Sequence, residues 1–341
     1  MMLRNAASFL GLCTAIVALG VVAPAVAQAP VSTSGDWVVP RTPAGHPDLQ
    51  GNWSSATLTP LQRPRAQGPT LSWEEVEVRE GRAANRLERV SRPSDPDRGA
   101  PRAGRGVGGY NGIYIDAGDV VAKVYGEPRS SLITHPADGR TPELTPAARA
   151  RRAERRESRS QFGQYDHPEL RPLGERCLVS FGSNAGPPML PNGFYNNNYT
   201  IVQTPDHVVI MAEMVHDARI IRIGDGPRLP EHIRPWMGDS WGHWEGDVLV
   251  VETTNIHPLH RYSGEEMKVI ERFSRMAEDA VLYEFTIDDP STYTEPWGGQ
   301  VPMMALNDRL YEYACHEGNY ALSNILSGAR YQERLEAENQ N

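Results

Sequence analysis

Cysteine is scarce in this chain, with three among 341 residues, which excludes a disulfide-dense scaffold and a cysteine-rich zinc module. Long hydrophobic runs are also lacking. The longest apolar stretch, residues 9–22, is too short to cross a bilayer, so no membrane span is expected. Basic residues are in deficit, 34 Lys and Arg against 43 Asp and Glu for a net charge of -9, which argues against nucleic acid as a partner. The familiar catalytic signatures are missing. There is no Gly-x-Ser-x-Gly elbow, no His-Glu-x-x-His helix and no Walker phosphate loop. A Gly-x-Gly-x-x-Gly match at residues 104–109 follows a Pro/Arg-rich stretch instead of a hydrophobic strand, so its context is wrong for a dinucleotide site. No cofactor is expected.

The chain does have an N-terminal leader. Arg4 precedes the apolar stretch, and Ala25, Val26 and Ala27 supply small residues for cleavage before Gln28. Residues 1–27 therefore read as a secretory signal peptide, and the mature protein as periplasmic or secreted. Cys13 leaves with the leader. Cys177 and Cys315 stay, and in an oxidising compartment they are expected to pair, the alternative being a free catalytic thiol.

Organisation follows from periodicity and punctuation. Residues 28–160 read as an extended and helical lead-in. Within it, Ser72-Trp73-Glu74-Glu75 forms a capping box that starts a helix running to about Val90. A mobile Pro/Gly/Arg surface loop is expected over residues 91–109. Thr145-Pro146 opens a second, arginine-rich helix. Residues 161–341 read as the main domain. Its short β-branched runs are separated by turn signals at Pro205-Asp206, at Glu245-Gly246-Asp247 and near Ala277 to Asp279. The fold class is mainly β, with the main domain an antiparallel, calycin- or lipocalin-like barrel. A barrel of about eight strands can hold one small ligand inside.

The stretches "HDARIIRI", "GDSWGHWEGDVLVVETTN", "VIERFSR", "YEFTIDDPSTYTEPW" and "YEYACHEGNYALSNILSGAR" resemble a widespread family of secreted bacterial proteins. The likeness covers about residues 45–330. It implies an exported, bacterial origin and brings no activity with it.

The chemistry must therefore come from the residues. Read as one strand, "HVVIMAEMVHDARIIRI" places His216 on an apolar face with Val208, Ile210, Ala212 and Met214. It is then either a hydrogen-bonded core histidine or a pocket base. In "RLYEYACHEGNY", read as a further strand, Tyr311, Tyr313, Cys315 and Glu317 share one face, and His316 reaches the barrel mouth if Gly318 ends the strand. His216, His316 and Glu317 are the candidate catalytic groups. Asn197, Asn198, Tyr199, Arg219 and Tyr313 are candidate ligand contacts, although asparagines at a strand mouth also close turns.

The pair His257 and His260 is tested as a metal site with His216, His243 and His316. No complete ligand spacing emerges and no metal residue is assigned, although a bound metal is left open. The expected function is acid/base catalysis of lyase, isomerase or hydrolase type on a small hydroxylated or aromatic molecule. The alternative is a non-catalytic periplasmic carrier for such a ligand.

Overall fold

A computed structural model describes residues 37–93, 97, 115–180, 184–260, 262, 264 and 266–340. The expected leader, the glycine motif at 104–109 and most of the 91–109 loop lie outside the described residues. Among those described, no helix is long and apolar enough to cross a membrane.

The helices begin where the caps place them. α1 (Trp73–Ser91) starts on the reciprocal bonds between Ser72 and Glu75, and α2 (Pro146–Ser160) is capped by Thr145 with Pro146 in its first turn. α1 buries only Val76 and α2 only Ala148, so both lie on the surface. The C-terminal α3 (Ala321–Asn339) buries no residue.

Strands β5 (Asn198–Gln203), β6 (His207–Ala212), β7 (Ala218–Ile223), β8 (Asp239–Glu245), β9 (Val248–Thr254), β10 (Lys268–Ala277), β11 (Ala280–Asp288) and β12 (Trp297–Ala305) follow one another around a sheet. The short β1 (Gly51–Ser54) pairs with β5 on one side and with β12 on the other, which closes a barrel of nine strands. A stave of the barrel thus comes from the segment read as lead-in. β2 (Lys123–Val124) and β3 (Glu127–Pro128) form a small separate ribbon, and β4 (Ile133–His135) adds outside the ring along β12.

The sheet is mixed, which departs from the antiparallel expectation. β7 and β8 run parallel, with Arg222 opposite Trp241 and Ile223 opposite Gly242. The cause is their connection. A tight turn leaves the next strand antiparallel, whereas a parallel neighbour needs a long return path. Residues 224–238, broken by Gly224, Gly226, Pro227, Pro230 and Pro235, supply it.

Two strand readings change in the folded chain. "HVVIMAEMVHDARIIRI" is a hairpin, β6 and β7 joined by residues 213–217. The intervening turn resets the alternation. Val208, Ile210 and Ala212 face in on β6, then Arg219 and Ile221 on β7, while Ile220 faces solvent. His216 is consequently on the turn and exposed. "RLYEYACHE" is not a strand, because β1, β11 and β4 already occupy the edges of β12 and no ladder is open to it. Residues 309–317 instead run as an irregular segment across one barrel mouth.

Apolar side chains pack together inside the barrel. Trp297, Tyr283, Phe273, Phe285, Leu249, Val251, Ile287 and Val301 share one buried cluster, with Phe285 edge-on to Trp297 at 5.8 Å. Residues 184–190 are buried throughout and enter this core. The hydroxyl of Tyr199 donates to the carbonyl of Asn184 (2.8 Å), and the amide of Met189 donates to the hydroxyl of Tyr283 (2.9 Å).

Candidate functional site

Arg219 points into the barrel, with 2% of its surface exposed. Its guanidinium forks onto Glu271 of β10, Nη1 to Oε1 at 2.9 Å, with Nη2 reaching Oε2. The hydroxyl of Tyr283 donates to the same carboxylate at 2.8 Å. Burial opposes the charge on Arg219, but the charge and hydrogen bonds of Glu271 outweigh it and hold the guanidinium pKa above its ordinary value. Arg219 is committed to the core, as is Tyr199, whose hydroxyl pKa is raised by burial.

The asparagines divide. Asn197 is fully buried and accepts from the amide of Asn192 (2.9 Å) while donating to the carbonyls of Asn192 and Asp116. It is a turn-closing residue. Asn198, half-buried, donates to Glu213 Oε2 at 2.8 Å, and its own Oδ1 is buried without a partner.

The imidazoles also divide. His243 pairs with Glu245 on the surface and His257 stacks on Trp236 at 3.8 Å. His260 donates through Nε2 to the carbonyl of Gly186 (2.9 Å), and burial drops its pKa to about 4. His216 and His316 meet, with ring centroids 6.0 Å apart. Among the described residues, no group of three His, Cys, Asp or Glu side chains converges as metal ligands would.

The meeting of His216 and His316 defines a site at one barrel mouth, built from two distant pieces of chain. The first is the turn at residues 213–217. It folds back through the amide of His216 onto the carbonyl of Glu213 (3.0 Å) and the amide of Ala212 onto the carbonyl of Asp217 (2.8 Å). His216 itself has φ +66°, a left-handed conformation uncommon for a residue with a Cβ. Cys177 (φ +54°) and Asn196 (φ +55°), both nearby, share it. Such backbone is costly by about 1–3 kcal/mol per residue and gathers at functional sites.

The second piece is the segment from Tyr311 to Asn319. The Cys177–Cys315 disulfide fastens it to the turn at residues 174–178, and the side chain of Asn319 donates to the carbonyl of Glu175 at 3.3 Å. His216 Nδ1 lies 3.1 Å from the carbonyl of Tyr313. A carbonyl only accepts, so Nδ1 carries a proton there, and the exposed ring turns Nε2 toward solvent. Tyr313 is half-buried, and its pKa is raised by burial and by the neighbouring Tyr195 hydroxyl. Glu317 is exposed beside His316.

Asp217 completes the cluster. It is half-buried, its Oδ2 has no hydrogen-bond partner, and burial lifts its pKa to about 6 against the opposing pull of His216. Alternation along one strand singles out neither Asp217 nor Glu213. The signal for their role was the polar group Glu213, His216 and Asp217 set between two β-branched runs, which is a turn signature once period-2 alternation is allowed to break. No family model matches the chain, and neither a curated protein nor a solved structure is detectably similar to it.

Proposed function

We propose that the protein is an exported enzyme that performs acid/base chemistry on a small organic molecule at this barrel mouth. Asp217 is the general base and His216, through Nε2, the general acid, with His316 as a second imidazole beside it. The observation that carries the reading is the buried, partnerless Oδ2 of Asp217 next to His216 on strained backbone. A carboxylate stripped of donors is a stronger base than one in water, and a pKa of about 6 keeps it ionised yet basic near neutrality. The imidazolium of His216 keeps its Nδ1 proton on the Tyr313 carbonyl and can release the Nε2 proton to a leaving or developing oxyanion. The pair suits elimination, isomerisation or hydrolysis, in which one proton is taken and another given. Tyr313 and Glu317 line the approach.

The remaining parts of the reading agree with this site. The leader sequence and the resemblance to secreted bacterial proteins support a periplasmic or secreted enzyme. The closed barrel supports a distant, calycin-like relationship. The test compares the mature protein with Asp217→Asn in bacterial metabolite extracts. A compound depleted by the parent and spared by the variant is expected. Depletion of nothing by the parent, or equal depletion by both, overturns the reading.

A further inference from the structure

The proton-transfer groups of this site ride on two chain segments that share no strand ladder, and two side chains of the turn bridge them, His216 to the carbonyl of Tyr313 and Glu213 to the amide of Tyr311. Glu213 is almost fully buried, with 5% of its surface exposed. Its Oε2 accepts from Asn198 Nδ2 at 2.8 Å, on the first residue of β5, and its Oε1 accepts from the amide of Tyr311 at 3.0 Å, in the C-terminal segment. Its backbone amide donates to the carbonyl of Asn198 (3.0 Å), and its carbonyl accepts from the amide of His216 (3.0 Å). Glu213 therefore sets the turn that carries His216 and Asp217 and, with its side chain, holds the segment that leads through Tyr313 to His316. A buried carboxylate among neutral donors is an expensive choice unless each oxygen is occupied, and each is.

We infer that Glu213 is a positioning residue of the mouth site, its carboxylate fixing the His316-bearing segment against the His216 turn. This rests on the acid/base reading of the same site and adds the device that assembles it. Hydrogen bonding to Asn198 and to the Tyr311 amide needs the full reach of a glutamate side chain. Aspartate, one methylene shorter, is expected to lose at least one of these bonds. Glutamine can keep both. Its oxygen takes the Tyr311 amide, and its amide nitrogen can donate to Asn198 Oδ1, which is partnerless, once the Asn198 amide turns over.

The experiment records the proximity of the His216 and His316 rings in histidine-labelled, disulfide-intact full chain by nuclear Overhauser spectroscopy. Parent, Glu213→Gln, Glu213→Asp and Glu213→Ala are compared. The cross-peak is expected to persist in parent and Glu213→Gln and to vanish in Glu213→Asp and Glu213→Ala, with the barrel amide spectrum unchanged. Turnover of the compound depleted by the parent should fall by about 100-fold in the same two variants, as for an ångström-scale misplacement of a reacting group, and recover in Glu213→Gln. If Glu213→Ala does not fold, Glu213→Asp decides. A cross-peak that survives in Glu213→Asp, or one lost equally in Glu213→Gln, overturns the inference. The ring contact is read without substrate, so failure of the acid/base reading, seen as unchanged turnover in Asp217→Asn, is distinguishable from failure of the positioning role.

Discussion

Arg219 on β7 and Glu271 on β10 form a two-pronged ion pair inside the barrel, with Nη1 to Oε1 at 2.9 Å and Tyr283 closing on the same carboxylate at 2.8 Å. Both ends are essentially without solvent. Removing one partner leaves the other charged and buried, which costs about 3–5 kcal/mol, whereas replacing both with apolar groups of similar volume is often neutral. Arg219→Met alone and Glu271→Leu alone should each lower the urea midpoint strongly. The double variant should recover most of the loss. Additive losses in the double variant would contradict a coupled pair.

Asp217 should be a site where function works against stability. Its pKa is near the usual 3.8 in the unfolded chain and about 6 when folded, so the native state holds the proton more tightly. Stability therefore declines as pH rises from about 4 to 6, and the full penalty is present above 6. Discounting for the solvent that reaches this half-buried group, Asp217→Asn should stabilise the protein by about 1–2 kcal/mol at pH 7 and by nothing at pH 3.5. Chemical denaturation at the two pH values checks this. Equal effects at both would contradict it.

His260 acts in the opposite sense. Burial lowers its pKa from 6.5 to about 4, so folding favours the neutral ring. Its contribution is complete above pH 6.5 and is lost as pH falls toward 4, by about 3 kcal/mol at 1.36 kcal/mol per unit. His260→Gln, which can still donate to the Gly186 carbonyl, should flatten the acid limb of the stability profile between those pH values. An unchanged limb would place the acid sensitivity elsewhere.

The Cys177–Cys315 bridge, which spans 138 positions, should matter more to the mouth site than to the barrel. Chain entropy sets a ceiling of about 5 kcal/mol for so long a loop. α3 buries nothing, so the C-terminal segment can detach while the ring stays closed. In Cys177→Ser/Cys315→Ser, hydrogen exchange should quicken over residues 309–320 well before β9, β10 and β11. Uniform loss of protection would mean that the bridge holds the barrel itself.

Much of the architecture was open to reading in the sequence. The capping box at Ser72 and Glu75, the Thr145-Pro146 start, the β10–β11 hairpin and the pairing of the two cysteines all rest on local chemistry or compartment. What escaped was non-local. The phase break at residues 213–217 hid behind a run of β-branched residues that read as one strand, so period-2 alternation puts His216 on the apolar face with Val208 and Ile210, whereas the turn exposes it. The parallel β7–β8 pair depends on where a proline-rich connection returns, which no local pattern states. The loss of strand character at residues 309–317 follows from β1 closing the ring, a long-range event. The barrel's own plug at residues 184–190 gave no periodic signal at all.

The carboxyl group of Asp217 is the most direct test of the mouth site. Its titration can be followed by carbon NMR of aspartate-labelled protein, with Asp217→Asn as the assignment control. The account predicts a midpoint of about 6, shifted by substitution of His216. A midpoint in the ordinary carboxylate range near 4, unaffected by His216, would leave the site without its base.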